Sequence, residues 1–255
     1  MQPVPPTGHW HRDYERGRPA WPTEALDVVG LSPTATVLDL GAGTGKLTRL
    51  LASRFARVIA VEPDEEMRLL LSTLCPGVRL LPGSAEAIPL AADSVEAVFV
   101  AEAFHGFDAA RALPEIARVL RPRGALVLMW NLPAAPTEPS IAAAEQLLIE
   151  RAPTGLQHDP VDLNTRRYSS GEWRQAFEGL PFEPLHEARF SNPQTVDREE
   201  LIAFFESMGW IGHLPESERQ PLLARLRSLL DAHEYHRSWE THLHWARLAD
   251  QTTRA

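Results

Sequence analysis

The amino-acid sequence predicts an α/β fold in which a doubly wound, mostly parallel sheet carries helices on both faces. The main observation is that short apolar runs, typical of buried strands, alternate with amphipathic segments as far as Asn131. A second observation is a tight glycine-rich turn directly after the first apolar run. With 255 residues, the chain is also long enough to bury one large core.

The first strand and the turn after it read VLDLGAGTGK over residues 37–46. The apolar run ends in Asp39, and Gly41, Gly43 and Gly45 follow before a helical pattern of leucines begins. Alternate glycines permit positive φ and remove the Cβ atoms that would keep a ligand away from the backbone. The helix beyond them offers unpaired N–H groups to a polar or anionic group. The turn therefore predicts a nucleotide-type cofactor site.

The spacing of the glycines decides between three kinds of nucleotide site. A dinucleotide fingerprint needs its third glycine at the position that Lys46 occupies. A phosphate-binding P-loop needs a glycine in place of Leu40 and a hydroxyl residue in place of Leu47. Both patterns fail, and a Gly-x-Gly-x-Gly turn remains.

The other elements of the predicted sheet follow in order as far as residue 131. The second strand ends in Glu62, whose carboxylate can accept both hydroxyls of a ribose, as in dinucleotide sites. A turn at 83–86 follows the third strand, and Glu102 and His105 follow the fourth. The predicted elements are a short helix at 22–30, strands from 37 and at 57–61, 78–81, 95–101 and 125–130, an amphipathic helix at 113–120 and a turn at 121–124.

The pattern changes after Asn131, where a Pro-rich linker begins. Two further strands bring the predicted number to seven. We expect one domain over 1–255, with an N-terminal arm or lid at 1–21, a cofactor-binding core at 22–131 and substrate-pocket helices with the last two strands at 132–255. The arm is expected to be irregular over 1–20. The predicted C-terminal elements are helices at 140–151, 198–208 and 216–232 and strands at 182–190 and 239–248.

Charge and composition exclude several classes of function. The net charge is −9 and no run of Lys or Arg stands out, so a nucleic-acid partner is not expected. Cys75 is alone, which suits a reducing compartment. No apolar run approaches the ~20 residues of a membrane span, and no signal peptide is recognised. We therefore expect a cytoplasmic protein, monomer or homodimer, that acts on a small molecule away from membranes.

Several motifs give the chain a resemblance to a known family. The glycine turn resembles motif I of the class I S-adenosylmethionine (SAM) methyltransferases. The stretch LPEIARVLRPRGALVLMW at 113–130 resembles the helix, turn and strand after their motif III. Other residues are similar to the type 11 small-molecule branch, which includes the yeast-type trans-aconitate methyltransferases: AEAFHGFD at 101–108, Trp130-Asn131, Tyr14, Arg18-Pro19 and Pro22.

The resemblance implies a Rossmann-like methyltransferase fold with an antiparallel final strand, and SAM as cofactor. It implies methyl transfer to an oxygen, nitrogen or carbon of a small organic acceptor, such as a carboxylate or a secondary metabolite. The implied cofactor-binding residues are Tyr14, Asp39, Gly41, Ala42, Gly43, Glu62, Pro63, Met67, Ser84, Ala85, Glu86, Ala101 and Glu102. The implied substrate-binding residues are Trp10, Arg18, Phe107, Trp130 and Trp210.

The chain departs from the family pattern at four positions. Ser84 and Glu102 stand where aspartate and glutamine are frequent, Gly106 replaces an aromatic residue, and Arg123 replaces a glycine. Since Glu102 and Gly106 lie where the acceptor would approach, the acceptor cannot be carried over from the family.

The catalytic residue predicted from the sequence is His105. It follows the fourth strand on the cofactor side, and an imidazole titrates near neutral pH. A purely structural alternative is that His105 hydrogen-bonds the backbone and shapes the pocket. In the same way, the aromatic residues of the arm either cover the site as a lid or only hold the arm to the body.

Other interpretations stay open from the sequence alone. The fold can also hold SAM during a non-methylating step, such as a rearrangement or cyclisation. Lys46 argues against a nicotinamide-dependent oxidoreductase, and no partner-binding segment indicates a regulatory module. No metal site is expected, and the histidines near the C-terminus are interpreted as solvated or pocket-edge groups: His233, His236, His242 and His244.

Overall fold

The computed structural model describes residues 10–153, 168 and 170–249. Short 3-10 helices there cover Thr23–Asp27, Phe104–Gly106 and Glu172–Phe177. The strands are β1 (Thr36–Leu40), β2 (Arg57–Glu62), β3 (Arg79–Pro82), β4 (Val95–Ala101), β5 (Leu120–Pro133), β6 (His186–Asp197) and β7 (Glu234–Arg247). The α-helices are α1 (Trp10–Gly17), α2 (Lys46–Arg54), α3 (Glu65–Leu74), α4 (Ala109–Val119), α5 (Pro139–Arg151), α6 (Arg198–Glu206), α7 (Gly209–Gly212) and α8 (Glu216–Leu229).

The strands form one seven-stranded sheet in the order β3-β2-β1-β4-β5-β7-β6. Strands β1 to β5 pair in parallel, and the final strands are antiparallel. At the centre, Leu38 of β1 lies between Ile59 of β2 and Val98 of β4. The chain order reverses between β1 and β4, which is the switch point where such sheets bind ligands. The predicted fold class is confirmed.

Alternate side chains of the central strands enter two different apolar cores. Val98 and Val100 of β4 pack in one core together with buried residues of α4. Ala97 and Phe99 of the same strand pack in the other, together with buried residues of α2. Because successive side chains of a strand point to opposite faces, this division requires helices on both faces of the sheet.

Local sequence signals fix where several helices begin. Asp64 caps α3, and its carboxylate accepts a hydrogen bond of 2.8 Å from the amide of Met67. Asp197 and Glu200 form a reciprocal capping box at the start of α6. Pro139 lies in the first turn of α5, where its missing N–H removes no helical hydrogen bond.

The described residues divide into two compact units. The larger contains 20–132, 168, 170–191 and 240–249, and the smaller contains 10–19, 133–153 and 192–239. The smaller unit has its own apolar core, formed by residues of α5, α6 and α8. The roles predicted for the segments 1–21, 22–131 and 132–255 stay predictions.

The N-terminal arm is helical, and the prediction of an irregular segment is wrong from Trp10 onward. Residues 10–17 form α1, whereas residues 1–9 lie outside the described part. A Cβ at Gly17 would lie 2.0 Å from the backbone nitrogen of Phe204 in α6. Only glycine permits the two backbones to approach this closely, and the contact supplies the packing that a short helix needs.

The last two strands are longer than predicted. Strand β6 starts at His186 and continues to Asp197, and β7 starts at Glu234 instead of 239. Asn192 and Pro193 are typical turn residues, but β6 is an edge strand, where proline is tolerated.

Other predicted boundaries also shift. The helix predicted at 113–120 covers Ala109–Val119, and the one predicted at 22–30 is a 3-10 helix over Thr23–Asp27. The predicted turn at 121–124 is an irregularity inside β5, where the register shifts and Arg123 has a φ of 61°. The predicted helix at 198–208 ends at Glu206, and that at 216–232 ends at Leu229. No helix in the described ranges has the length and apolar character needed to cross a bilayer.

Candidate active site

The three glycines of the turn after β1 have different physical roles. All have positive φ: 72° at Gly41, 56° at Gly43 and 89° at Gly45. A Cβ at Gly41 would lie 2.7 Å from that of Ala103, and one at Gly45 would lie 2.9 Å from Cγ of Leu71. A Cβ at Gly43 would meet nothing within 4 Å. The sequence assigned the same role to all three, but only Gly43 borders open space.

Asp39, at the end of β1, is a buried carboxyl group with one unused oxygen. Its Oδ2 accepts a hydrogen bond of 2.5 Å from the hydroxyl of Thr48, and its Oδ1 has no hydrogen-bond partner among the described residues. Burial raises the pKa of Asp39 to about 7, against the lowering effect of the Thr48 bond and with help from the charge of Glu62. The position suits a group that accepts a hydrogen bond from a ligand.

Glu62, at the end of β2, joins the second strand to the glycine turn. Its Oε2 accepts a hydrogen bond of 2.8 Å from the amide of Gly43, and its Oε1 accepts one of 2.9 Å from that of Asp64. Burial raises the pKa of Glu62, and these backbone bonds offset part of the increase. Each carboxylate oxygen keeps a further lone pair for a ligand hydroxyl. The sequence predicted a ribose contact for Glu62, which stays a prediction, and it did not predict this structural role.

The remaining predicted cofactor residues lie on the same sheet edge. Ala42 is buried, and its amide bonds the carbonyl of Val61 at 3.2 Å. Pro63 is exposed, and Met67 is buried in α3. These side chains follow the ends of β1 and β2, where ligands bind in this architecture.

The turn after β3 is held by its own polar side chains. Ser84 pairs with Ala87 in an isolated bridge, Ala85 is buried, and Glu86 accepts a hydrogen bond of 2.9 Å from the amide of Asp108. Burial acts to raise the pKa of Glu86, but the bonds from Asp108 and Ser84 outweigh it and the pKa lies below its usual value. Glu86 therefore ties this turn to the segment after β4.

The end of β4 contains a backbone conformation that is unusual for its residue type. Glu102, directly after Ala101, has a φ of 51°, and its Oε1 accepts a hydrogen bond of 2.7 Å from the amide of Asn131. Such left-handed residues cost of order 1–3 kcal/mol and cluster at functional sites. The bond fixes the end of β4 against the end of β5. His105 follows in the next 3-10 turn.

A cavity of about 270 Å³ lies beyond the ends of β4 and β5. The indole nitrogen of Trp130 in its wall has no hydrogen-bond partner in the described part of the chain. Phe107 lies 3.4 Å from the position that a Cβ of Gly41 would take, so it contacts the glycine turn as well as the cavity. The lining residues are Phe104, His105, Phe107, Ala109, Trp130, Tyr168, Ser170, Glu172 and Trp173.

A hydrogen-bonded cluster behind this cavity was missed at the sequence level. The hydroxyl of Tyr168 lies 2.7 Å from Nδ1 of His242 and 2.9 Å from Nε2 of His244. Nε2 of His242 contacts the carboxylate of Glu240. The two histidines are 7% and 3% exposed, so of the two interpretations offered for them the solvated one is wrong, and their contacts with Tyr168 agree with the pocket-edge one. Their i,i+2 spacing on one strand face was the only available signal, because Tyr168 lies far away in sequence.

The predicted residues of the arm belong to the smaller unit, as does Trp210. The indole nitrogen of Trp10 donates to the carbonyl of Ser207 at 3.1 Å, and Nε of Arg18 donates to its hydroxyl at 2.9 Å. The guanidinium of Arg18 also lies 5.2 Å from the ring centre of Tyr14. Trp210 packs against the apolar core of this unit. These contacts hold α1 to α6, and the predicted roles in ligand binding stay predictions.

Histidine, cysteine and carboxylate side chains do not form a metal-binding group in the described residues. No three of them stand close enough together to hold an ion there. His242 and His244 share a face of β7, and both direct a ring nitrogen to the hydroxyl of Tyr168.

Comparisons with known proteins agree with this geometry. The sequence profile described as a methyltransferase domain matches residues 38–128. An uncharacterized methyltransferase of Schizosaccharomyces pombe is 35% identical over 223 residues, which cover 86% of this chain and 84% of that protein. A second, from Mycobacterium tuberculosis, is 54% identical over 118 residues, or 46% of this chain. The match spans 49%, about half, of the mycobacterial protein's length.

One solved structure is similar in fold to this chain, and at this identity the similarity supports the fold only. The putative type II methyltransferase of Anaeromyxobacter dehalogenans superposes with a TM-score of 0.67 at 22% identity, covering 92% of this chain and 99% of that one. The matched profile contains the whole glycine turn and Glu62, and the yeast relative aligns over most of the chain. This chain therefore belongs to the class I SAM-dependent methyltransferase family.

Proposed function

We propose that the protein transfers a methyl group from SAM to an oxygen of a small organic acceptor held in the aromatic cavity. The observation that carries this proposal is the position of Phe107. Its ring lines the cavity, and ring atom Cζ would lie 3.4 Å from a Cβ placed at Gly41, so the cavity adjoins the glycine turn. A cofactor on the turn and an acceptor in the cavity would thus be neighbours, as an in-line methyl transfer requires.

The residues around the glycine turn fit SAM as the cofactor. The open space beside Gly43 leaves room for the ligand against the backbone, and Glu62 keeps lone pairs for ribose hydroxyls. The unused Oδ1 of Asp39 would accept a further hydrogen bond from the ligand. When bound, SAM supplies an electrophilic methyl group and departs as neutral S-adenosylhomocysteine, which keeps the electron pair of the broken carbon–sulfur bond.

The cavity wall favours a neutral, planar acceptor. Four of its residues are Phe or Trp, and no Lys or Arg lines it within the described ranges. Its volume lies just below the usual range of about 300–1,000 Å³ for ligand pockets, so the acceptor is small. A carboxylate, and above all the polycarboxylate that the trans-aconitate branch methylates, would be left without a cationic partner there. We therefore favour a hydroxyl-bearing aromatic acceptor over a carboxylate.

The chain's own contribution is positioning, exclusion of water and removal of a proton. Phe104, Trp130 and Trp173 are mostly withdrawn from solvent and would keep water from the reacting groups. His105 lines the cavity and is one candidate for the base. The enzyme would work in the cytoplasm as a monomer or homodimer on a small molecule, without nucleic acid or membrane.

Transfer of a labelled methyl group from SAM to a metabolite extract tests this proposal. The purified protein should label at least one small molecule, and removal of the protein should abolish the labelled product. The matched pair Gly43→Leu and Gly30→Leu serves as control, because both glycines have left-handed φ and open space, and only Gly43 lies at the turn. Binding of SAM with no labelled product would instead favour a non-methylating step, such as a rearrangement or cyclisation.

A further inference from the structure

The hydroxyl of Tyr168 is held between two buried histidines at the edge of the cavity. Its oxygen lies 2.7 Å from Nδ1 of His242 and 2.9 Å from Nε2 of His244, and the tyrosine itself lines the cavity. A phenol has one proton and can donate only one hydrogen bond. One histidine must therefore accept from Tyr168 while the other donates to it.

The contact with Glu240 determines which histidine accepts the hydrogen bond from Tyr168. A carboxylate only accepts hydrogen bonds, so Nε2 of His242 carries the proton toward Glu240 and its Nδ1 is free to accept from Tyr168. His244 must then donate its Nε2–H to the tyrosine oxygen. The resulting chain runs from Glu240 through His242 to the hydroxyl of Tyr168. It has the order of the acid–histidine–hydroxyl arrangements that activate an oxygen for proton transfer.

We propose that Tyr168 is the catalytic base of the reaction, that His242 and Glu240 receive the proton from it, and that the acceptor is a small phenol. This inference rests on the proposed methyl transfer and adds the acceptor class and the base. In the step, the O–H bond of the acceptor breaks and its proton bonds to the oxygen of Tyr168. The proton of Tyr168 moves at the same time to Nδ1 of His242. The acceptor is left as a phenolate, and the imidazolium faces the carboxylate of Glu240.

The charges around the cluster are compatible with this transfer. Burial lowers the pKa of His242, against the raising effect of Glu240, so the ring is neutral at neutral pH and its Nδ1 has a lone pair for the proton of Tyr168. Burial, together with the positive charge of Arg174, lowers the pKa of His244 to about 4, so this ring stays a neutral donor. Burial raises the pKa of Tyr168, against the lowering effect of a hydrogen bond from Arg174 and of the charges of Arg174 and Arg189, so the hydroxyl keeps its proton in the resting state. The other charged groups that act on the cluster are Arg189 and Glu187.

The aromatic walls supply the preference for a phenol. The ring centres of Trp130 and Trp173 lie 5.2 Å apart, and that of Tyr168 lies 4.9 Å from Trp130. Planar rings of this kind attract an aromatic guest through offset and edge-to-face contacts, worth about 0.5–1.5 kcal/mol per pair beyond burial. Trp130 adds a further donor to the same wall, an indole N–H without a hydrogen-bond partner among residues 10–153, 168 and 170–249.

Ionisation of a bound phenol tests the proposal without knowledge of the natural acceptor. The probe is 4-nitrophenol, whose absorption distinguishes its ionised and neutral forms, titrated with the full chain in the presence of S-adenosylhomocysteine. With the wild-type protein we expect the bound probe to ionise about one pKa unit lower than the free probe, a tenfold change in the ratio of its two forms. Tyr168→Phe and His242→Asn should still bind the probe but lose this shift.

Tyr235→Phe is the matched control, because Tyr235 is also a buried tyrosine with one hydrogen bond, from the amide of Ala232, and lies in the smaller unit. It should keep the shift, and His105→Gln should keep it as well. A shift that survives in Tyr168→Phe, or that disappears only in His105→Gln, would overturn the assignment of the base. A wild-type protein that does not bind the probe would overturn the phenol class. In each case labelled-methyl transfer from SAM reports separately on the proposed function.

Discussion

The glycine turn and the aromatic cavity are built by the chain in opposite ways. The turn lies in one short stretch, 39–62, and consists of the ends of two adjacent parallel strands. The cavity is lined by side chains from the segment after β4, from β5, and from residues 168, 170, 172 and 173, with the histidines of β7 behind it. A motif can be recognised only where the residues of a site are close in sequence. The site that we propose for the cofactor could therefore be predicted from the sequence, whereas the cavity that we propose for the acceptor could not.

The two halves also differ in their electrostatics. The turn contains two buried carboxyl groups, Asp39 and Glu62, whose pKa values are raised by burial. The histidines behind the cavity, His242 and His244, have pKa values lowered by burial. Burial favours the neutral form in every case, so the same physical cause acts in opposite directions on acids and bases. Between about pH 4 and 7, a rise in pH should therefore reduce the contribution of Asp39 to stability and increase that of His244.

The largest expected effect is the contribution of Asp39 to the pH dependence of protein stability. Its folded pKa of about 7 is above the ordinary 3.8, so its contribution to stability is fully present below pH 4 and is lost as the pH rises to 7. The difference between these two pKa values corresponds to a free energy of unfolding of about 4 kcal/mol. We expect Asp39→Asn to remove this loss, since the amide oxygen can still accept from Thr48. Melting temperatures of the ligand-free protein between pH 4 and 8 measure it.

The exposed Asp27→Asn serves as the control for this titration. Asp27 pairs with Arg54 at the surface, so its variant should follow the pH profile of the wild-type protein. Parallel profiles for Asp39→Asn and the wild-type protein would contradict the raised pKa.

The next largest effect is expected at Gly43. Gly43→Leu places a side chain in the open space of the turn and should weaken binding of S-adenosylhomocysteine about 100-fold, or about 2.7 kcal/mol. Gly30→Leu has the same left-handed strain and the same open space but lies at an exposed site. Calorimetric titration of both variants with S-adenosylhomocysteine separates the effect of backbone strain from the effect of blocking the ligand's space. Equal affinities in the two variants would show that the ligand does not use the turn.

Glu62→Gln should have an intermediate effect. The amide group of glutamine would direct its own N–H groups at the N–H of Gly43 or Asp64, which leaves one backbone donor unpaired. We expect affinity for S-adenosylhomocysteine to fall about tenfold, with a lower melting temperature. The exposed Glu65→Gln, at the start of α3, should change neither quantity. An unchanged affinity in Glu62→Gln would remove Glu62 from the ribose contact.

The smallest change in cofactor affinity is expected from a substitution in the wall of the cavity. Trp130→Phe keeps an aromatic wall and removes only the unpaired indole N–H. Affinity for S-adenosylhomocysteine should stay within about twofold, because Trp130 lines the cavity and the substitution leaves the residues of the glycine turn unchanged. The yield of labelled product should fall in the same variant. A loss of cofactor affinity as large as that of Gly43→Leu would mean that the two halves are one site.

Much of the fold follows from patterns within single segments. Alternating apolar runs predicted the strands, since side chains such as Val98 and Phe99 enter opposite cores. The glycines, Asp39 and Glu62 could be predicted to form one site because their order along the chain matches their order along the sheet edge. The elements that were mispredicted depend on distant contacts. Helix α1 forms where Gly17 meets Phe204, and β6 passes through Pro193 because it lies at the sheet edge.

The cluster behind the cavity also could not be predicted, because it depends on contacts between residues that are distant in sequence. Tyr168 lies more than 70 positions from His242 and His244, and only the fold brings the three side chains together. Likewise, no pattern in the sequence shows that Gly41 serves packing whereas Gly43 borders open space. Both distinctions depend on which neighbours surround a residue, and that is a property of the packed structure.

A crystal structure of the protein with S-adenosylhomocysteine tests the central claim most directly. The account predicts the ligand in the space beside Gly43, with its ribose hydroxyls within hydrogen-bond distance of Glu62 and its sulfur toward Phe107. An empty space beside Gly43, or a ribose remote from Glu62, would contradict it.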